Sequence, residues 1–224
     1  KNSYLILKFT YDFKKNTMKK LQLFGAVPLL IFIMSLTFLS SCTDDDNDNE
    51  NVSQTITESD KAALIFMLEE EKLARDTYAY LDGLWTINQF TNIMNSEQTH
   101  MNAVENLLIQ YNLDYTILPV GEFENQDLQN LYNQFVIDGA INTTNALHIG
   151  ATIEDLDIMD LQSNLDATTN SDVISVFEML QCGSRNHLRS FVSSIEISGS
   201  TYIPQFLTQD WYDSILSASH EQCN

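Results

Sequence analysis

The sequence predicts an all-α protein: four long helices in a bundle, a long crossover between the second and third, and a short helix near the C-terminus. Three observations lead there. Apolar residues recur at i, i+3, i+4, i+7 through four segments, the period of one helix face. No segment of any length alternates as a half-buried strand does. Glycine and proline are scarce, 7 and 3 in 224 residues, so the long segments are little interrupted.

The first helix opens at Thr57, where Thr57-x-x-Asp60 forms a capping-box pattern. Its stripe is Leu64, Met67, Leu68, Glu71, Ala74, Tyr78 and Leu81, and Asp82-Gly83 is expected to end it. The second spans about Asn88 to Tyr111, with Phe90, Ile93, Met94, Glu97, His100, Met101, Val104, Leu107 and Leu108 on one face. A connection from 112 to 142 follows and holds a short helix near Asn125 to Asp138. The third long helix starts at Thr143 or Thr144 and reaches about Leu165, with Leu147, Gly150, Glu154, Asp157 and Leu161 in line. Asn170 or Ser171 caps the fourth, which carries Val173, Val176, Phe177, Leu180, Ser184, His187, Leu188, Phe191 and Ile195. Short loops make pairs 1–2 and 3–4 antiparallel, and the crossover lets the middle pair run parallel. Residues 57–200 thus form the bundle. Residues 201–224 form a tail whose short amphipathic helix, around Gln209 to Leu216, packs across one end.

The N-terminal part reads differently. Met18 is a better start than Lys1, which leaves residues 1–17 upstream. Lys19 and Lys20 precede an apolar run from Leu21 to Leu39, and Leu39-Ser40-Ser41-Cys42 closes it. Residues 18–41 resemble a bacterial lipoprotein signal peptide, which implies lipidation of Cys42 and a membrane held through that anchor. A plain transmembrane span is the competing reading. Residues 42–56, rich in Asp, Asn and Glu, cannot bury a core and are expected to form a solvated tether. That acidic run is also similar to the one following the lipidated cysteine of surface-exported Bacteroidota lipoproteins. The expected location is the bacterial outer membrane, facing the periplasm or the cell surface.

Six of the 11 Lys+Arg and one of the 31 Asp+Glu precede Cys42, which leaves 5 against 30, a net charge of −25. Such a surface repels phosphate backbones and attracts cations, so nucleic acid is excluded as an expected partner and metal ions are favoured. With Cys42 assigned to lipid, Cys182 and Cys223 are left. Either they pair as a disulfide pinning the tail to the fourth helix, or Cys182 is a small buried hydrophobe. No nucleophile elbow, phosphate-cradling glycine loop or zinc-type Cys/His spacing appears.

Chemistry enters where the stripes turn polar. Glu71, Glu97, His100, Glu154 and His187 each fall on an inward face, and Glu97-x-x-His100 sets two donors on neighbouring positions of one helix. Acids and histidines are costly in a core unless paired or metal-bound, and four helices agreeing points to a metal site. Carboxylates bind hard or borderline cations and bridge pairs of them, and imidazole adds a borderline nitrogen.

Glu71-Lys72-Leu73-Ala74-Arg75-Asp76-Thr77-Tyr78 and Glu97-Gln98-Thr99-His100 resemble ligand segments of the ferritin-like superfamily, rubrerythrin-type members in particular. More closely, Glu69 to Asp76, Ser96 to Met101 and Gly183 to Arg189 look like an uncharacterised ferritin-like family of bacteria and archaea, domain of unknown function 2202. The resemblance spans nearly all of residues 58–216. It implies a di-iron centre, with manganese as the alternative, that reacts with oxygen, peroxide or Fe²⁺; a metal-binding or interaction module without turnover is the other reading. It also implies pairing into a homodimer, although nothing in the chain identifies an interface. The ligand set it implies is Glu71, Glu97, His100, Glu154 and His187. One position departs: the fourth-helix motif needs Glu where Ser184 stands. Either Asp157, one turn beyond Glu154, supplies the missing carboxylate, or the site is asymmetric. Arg75 is expected to hold a ligand carboxylate from behind. Tyr78 is expected either as a hydrogen-bonded or redox-active neighbour or as a core aromatic. Glu69, Glu70 and Glu178 are expected in solvent. His148 and His220 are given no role.

Overall fold

The computed structural model describes residues 55–223. The segments read as a lipoprotein signal (18–41), a lipidation site (Cys42) and, but for its last two residues, a tether (42–56) fall outside the described residues. The described residues form six helices: α1 (Glu58–Trp85), α2 (Asn88–Gln110), α3 (Gln126–Gly139), α4 (Thr143–Leu165), α5 (Ser171–Ile197) and α6 (Gln209–Ser217). Among the described residues there is no strand, and no helix is long and apolar enough to cross a membrane.

Thr57 caps α1 as a full capping box: its Oγ1 accepts from Asp60 N at 3.1 Å, and its own N–H donates to Asp60 Oδ2 at 3.1 Å. The helix does not stop at Gly83. It continues to Trp85 and closes on Thr86 in the left-handed region (φ 51°). A glycine in the last turn costs about 1 kcal/mol. Trp85 offsets that by donating Nε1–H to Gly139 O at 2.9 Å, tying the turn to the end of α3. Asn142 and Asn170 cap α4 and α5 through their side-chain oxygens.

The principal packing pairs are α1 with α2 and α4 with α5, and α1 on α4 and α2 on α5 close a ring. Side-chain ties give the directions. Arg75 meets Gln98 and Asp82 meets Thr91, so α1 and α2 are antiparallel. Gln89 meets Ser194 and Gln110 meets Asp172, so α2 and α5 are antiparallel. Gln181 bonds Ile158 O, and Phe191 lies against Gly150, so α4 and α5 are antiparallel. It follows that α2 and α4 run the same way, which the crossover makes possible.

That crossover lies against α1. Lys72, 1% exposed, reaches Asp76 at 2.6 Å and the carbonyls of Pro119 and Glu122 at 2.9 and 3.0 Å, with its ammonium 4.2 Å above the Phe123 ring. Asp76 also accepts from Gly121 N at 3.0 Å, and Glu69 accepts from the N–H groups of Glu124 and Asn125 at 2.6 and 3.0 Å. Glu69 and Glu70 are both buried, contrary to the expectation of solvent; Glu69 is covered by the chain leading into α3, whose N–H groups it accepts from. Glu178 is exposed as expected.

The apolar interior forms two layers. One is Leu64, Met67, Leu68, Met101, Val104, Leu107, Leu108, Leu161, Val173, Phe177 and Leu180. The other centres on Tyr78, Phe90 and Phe191, with ring centroids 5.3 to 5.9 Å apart. The tail is anchored at several points. Buried Asp155 accepts from Tyr202 OH at 2.7 Å and Leu207 N at 2.8 Å, and Cys182 and Cys223 form a disulfide, which resolves the two readings left open for them.

Candidate metal centre

Between the two apolar layers the four stripes turn polar together. Glu71 and Glu97 are 2% and 1% exposed, His100 4%, Glu154 2%, Asp157 5% and His187 9%. Antiparallel packing sets the middle turn of each helix at one height, so periodicity alone carries these side chains to one place. They fall into two groups, each able to hold one ion: Glu71, Glu97 and His100, and Glu97, Glu154 and His187. In the first, His100 Nδ1 is 3.1 Å from Glu71 Oε2 and 2.7 Å from Glu97 Oε2. In the second, His187 Nδ1 is 2.8 Å from Glu97 Oε1 and 3.4 Å from Glu154 Oε2. Glu97 thus gives one oxygen to each group.

Asp157 stands outside both groups but beside them. Its Oδ2 meets Ser184 Oγ, which also reaches Leu180 O at 3.0 Å. A serine has one proton for those two acceptors; a protonated Asp157 donating to Oγ satisfies both. Burial and the neighbouring acids do push the Asp157 carboxyl up, to about 8. Burial and Asp157 likewise raise Glu71 well above the carboxylate range, and burial with Glu97 raises Glu154. Burial opposes the charge of Glu97 too, but the imidazoles of His187 and His100 outweigh it and hold this carboxyl below its ordinary value. Burial works against protonating the histidines; Glu71 and Glu97 overcome it at His100, and Glu97 and Glu154 carry His187 up to about 10.

The protons do not satisfy everything. Glu71 Oε1, Glu97 Oε1, Asp157 Oδ1 and His187 Nδ1 are buried without a hydrogen bond, although the second and last lie 2.8 Å apart. Buried polar atoms are rarely left so. The meeting of Glu97 Oε1 and His187 Nδ1 within one of the two groups, and a donor set of carboxylate oxygens with two imidazole nitrogens, fits a divalent cation.

Other expected residues divide. Tyr78 donates to Glu154 Oε1 at 2.5 Å while its ring packs on Phe90 and Phe191, so it is both a core aromatic and a neighbour of the centre. Arg75 does not hold a ligand. It lies at the half-buried edge of α1, where Nε and Nη2 donate to Asp76 Oδ1 at 2.9 and 2.6 Å and Nη1 to Gln98 Oε1 at 2.8 Å. His148 bonds Ser200 Oγ at 3.0 Å, away from the centre. Two contacts escaped the sequence reading. Ser96 Oγ is 3.0 Å from His187 Nε2, and Gly183 admits the His100 ring where a Cβ would stand 2.6 Å from it. An isolated glycine in mid-helix was the one available signal.

These features define a class: an all-helical domain with a buried carboxylate–histidine cluster between apolar layers. Residues 60–219 match the model of an uncharacterized protein domain, DUF2202, and the chain belongs to that family. It is 45% identical over 171 residues to the uncharacterized protein MJ0754 of Methanocaldococcus jannaschii, spanning 75% of this chain and 92% of that one. The crystal structure of the hypothetical protein MJ0754 from Methanococcus jannaschii DSM 2661 is similar with a TM-score of 0.74, covering 75% of this chain and 98% of that chain.

Proposed function

We propose that the domain is a ferritin-like four-helix bundle with a dinuclear metal centre, iron or alternatively manganese, for redox chemistry with oxygen, peroxide or Fe²⁺. The observation that carries this reading is Glu97, one oxygen in each of two buried three-residue groups, the placement of a bridging carboxylate. Glu71 and His100 would hold one ion, Glu154 and His187 the other, with Asp157 taking the part of the absent Glu at position 184. Such metals, when bound, supply one-electron redox chemistry. The chain contributes a water-poor setting between apolar layers and, through Tyr78, a fixed orientation of Glu154.

Ser184 favours a second reading, a module that binds metal, or a partner, without turnover, because serine is a poor bridging ligand. Elemental analysis of the full chain purified without chelators tests the centre. About two iron or manganese atoms per chain are expected, and none in Glu97→Ala/His100→Ala. Near-zero metal in the wild type after anaerobic Fe²⁺ reconstitution overturns it. Turnover of peroxide or Fe²⁺ by the loaded protein then separates the two readings.

The N-terminal pattern supports a lipoprotein of the bacterial outer membrane, anchored through Cys42 and facing the periplasm or the cell surface. Labelling with a fatty acid that Cys42→Ala abolishes is the expected result.

A further inference from the structure

The halves of the centre correspond residue by residue. Glu71 on α1 answers to Glu154 on α4, and Glu97 and His100 on α2 answer to Ser184 and His187 on α5. One position earlier, α2 carries Ser96 and α5 carries Gly183, and each faces the histidine of the opposite helix. The same place in the pattern therefore grips one imidazole by a hydroxyl and seats the other against bare backbone.

We propose that Ser96 is a positioning residue for the Glu97/Glu154/His187 half, gripping the ring of His187 through Nε2–H so that Nδ1 faces the two carboxylates. This rests on the metal-centre reading. An imidazole that offers Nδ1 to a cation keeps its proton on Nε2, and that proton needs an acceptor. Ser96 Oγ, 3.0 Å away, is that acceptor, and Nδ1 stands 2.8 Å from Glu97 Oε1 and 3.4 Å from Glu154 Oε2. Ser96 and Glu97 are consecutive, so one turn of α2 holds both nitrogens of a ring that belongs to α5. Turning the ring over to present Nε2 inward would break the Ser96 bond. The grip also lies where it is needed: the His187 side chain is 11% exposed, against 5% for His100 and 2% for Glu71, Glu97 and Glu154.

Zn²⁺, which is redox-silent, is the probe. Calorimetric titration of the metal-stripped full chain is expected to show two binding events in the wild type. In Ser96→Ala one event stays and the other weakens by about 10–100-fold. Ser96→Thr, which keeps the hydroxyl, is expected to restore it. In the Zn²⁺ form the His187 ¹⁵N resonances should report metal on Nδ1 and a proton on Nε2, a pattern that Ser96→Ala blurs and a merely structural role would leave alone. Wild-type affinities in Ser96→Ala, or a Thr variant as weak as the Ala one, overturn the inference while the metal centre stands. No Zn²⁺ binding by the wild type overturns both.

Discussion

At position 183 the absence of a Cβ makes room for a histidine. The His100 ring occupies the space a methyl would take, with Cε1 and Nε2 each 2.6 Å from the ideal Cβ position. The ring is held from its other edge by Glu71 and Glu97, so it has nowhere to retreat. Gly183→Ala is therefore expected to destabilise the fold by about 1–3 kcal/mol, the range of overpacked cores, as read by urea denaturation. It should also weaken the Glu71/Glu97/His100 half of the centre more than the other in the Zn²⁺ titration. The five ligand candidates on the stripes were legible because a 3.6-residue period assigns a face to every position of a helix. Ser96, Gly183 and the true partners of Arg75 were not, because each depends on what the facing helix places opposite.

At the scale of the element, the crossover is held by charges that a solvated-face reading of Glu69-Glu70-Glu71-Lys72 does not foresee. Lys72 and Asp76 are nearly inaccessible, with side chains 2% and 1% exposed, and they share contacts with Pro119, Gly121 and Glu122. Removing the Lys72 ammonium leaves Asp76 with Arg75 as its remaining counter-charge and strips the Pro119 and Glu122 carbonyls of their buried donor. Lys72→Met should cost about 1–3 kcal/mol in urea denaturation. It should also speed hydrogen exchange at the backbone amides of 121 to 125. The tail is held by Glu221, which accepts from Arg185 at 2.5 to 3.1 Å and from Arg189 at 2.6 Å. Hydrogen bonds from Arg185, and then Arg189, lower its carboxyl from 4.5 to about 2. A group whose folded value lies below its unfolded one stabilises above the unfolded value and loses that contribution as pH falls. Tail docking should therefore weaken between pH 4.5 and about 2 in the wild type, with a smaller change in Glu221→Gln, observable by NMR of residues 218–223.

At the scale of the whole molecule, the chain is tied end to side by the disulfide between Cys182 and Cys223, 41 residues apart. Closing a loop of that length removes unfolded-state entropy worth up to about 4 kcal/mol. Cys223→Ser is expected to lower stability by up to that amount under non-reducing conditions and to change nothing under reduction. The disulfide joins α5 next to Gly183, so the tail braces the helix whose inner face carries Ser184 and His187. The helix count, the antiparallel pairs and the stripes, with their capping signals at Thr57 and Asn170, followed from the sequence by itself, because helix periodicity and caps are local. Tertiary structure decided the rest. Glu69, Lys72 and Asp76 are buried because a distant crossover folds onto α1; Arg75 turns to Asp76 and Gln98; His187 meets Ser96; and Cys182 finds Cys223. Each of those depends on which surfaces meet after the helices form, and packing between segments far apart in the chain settles that.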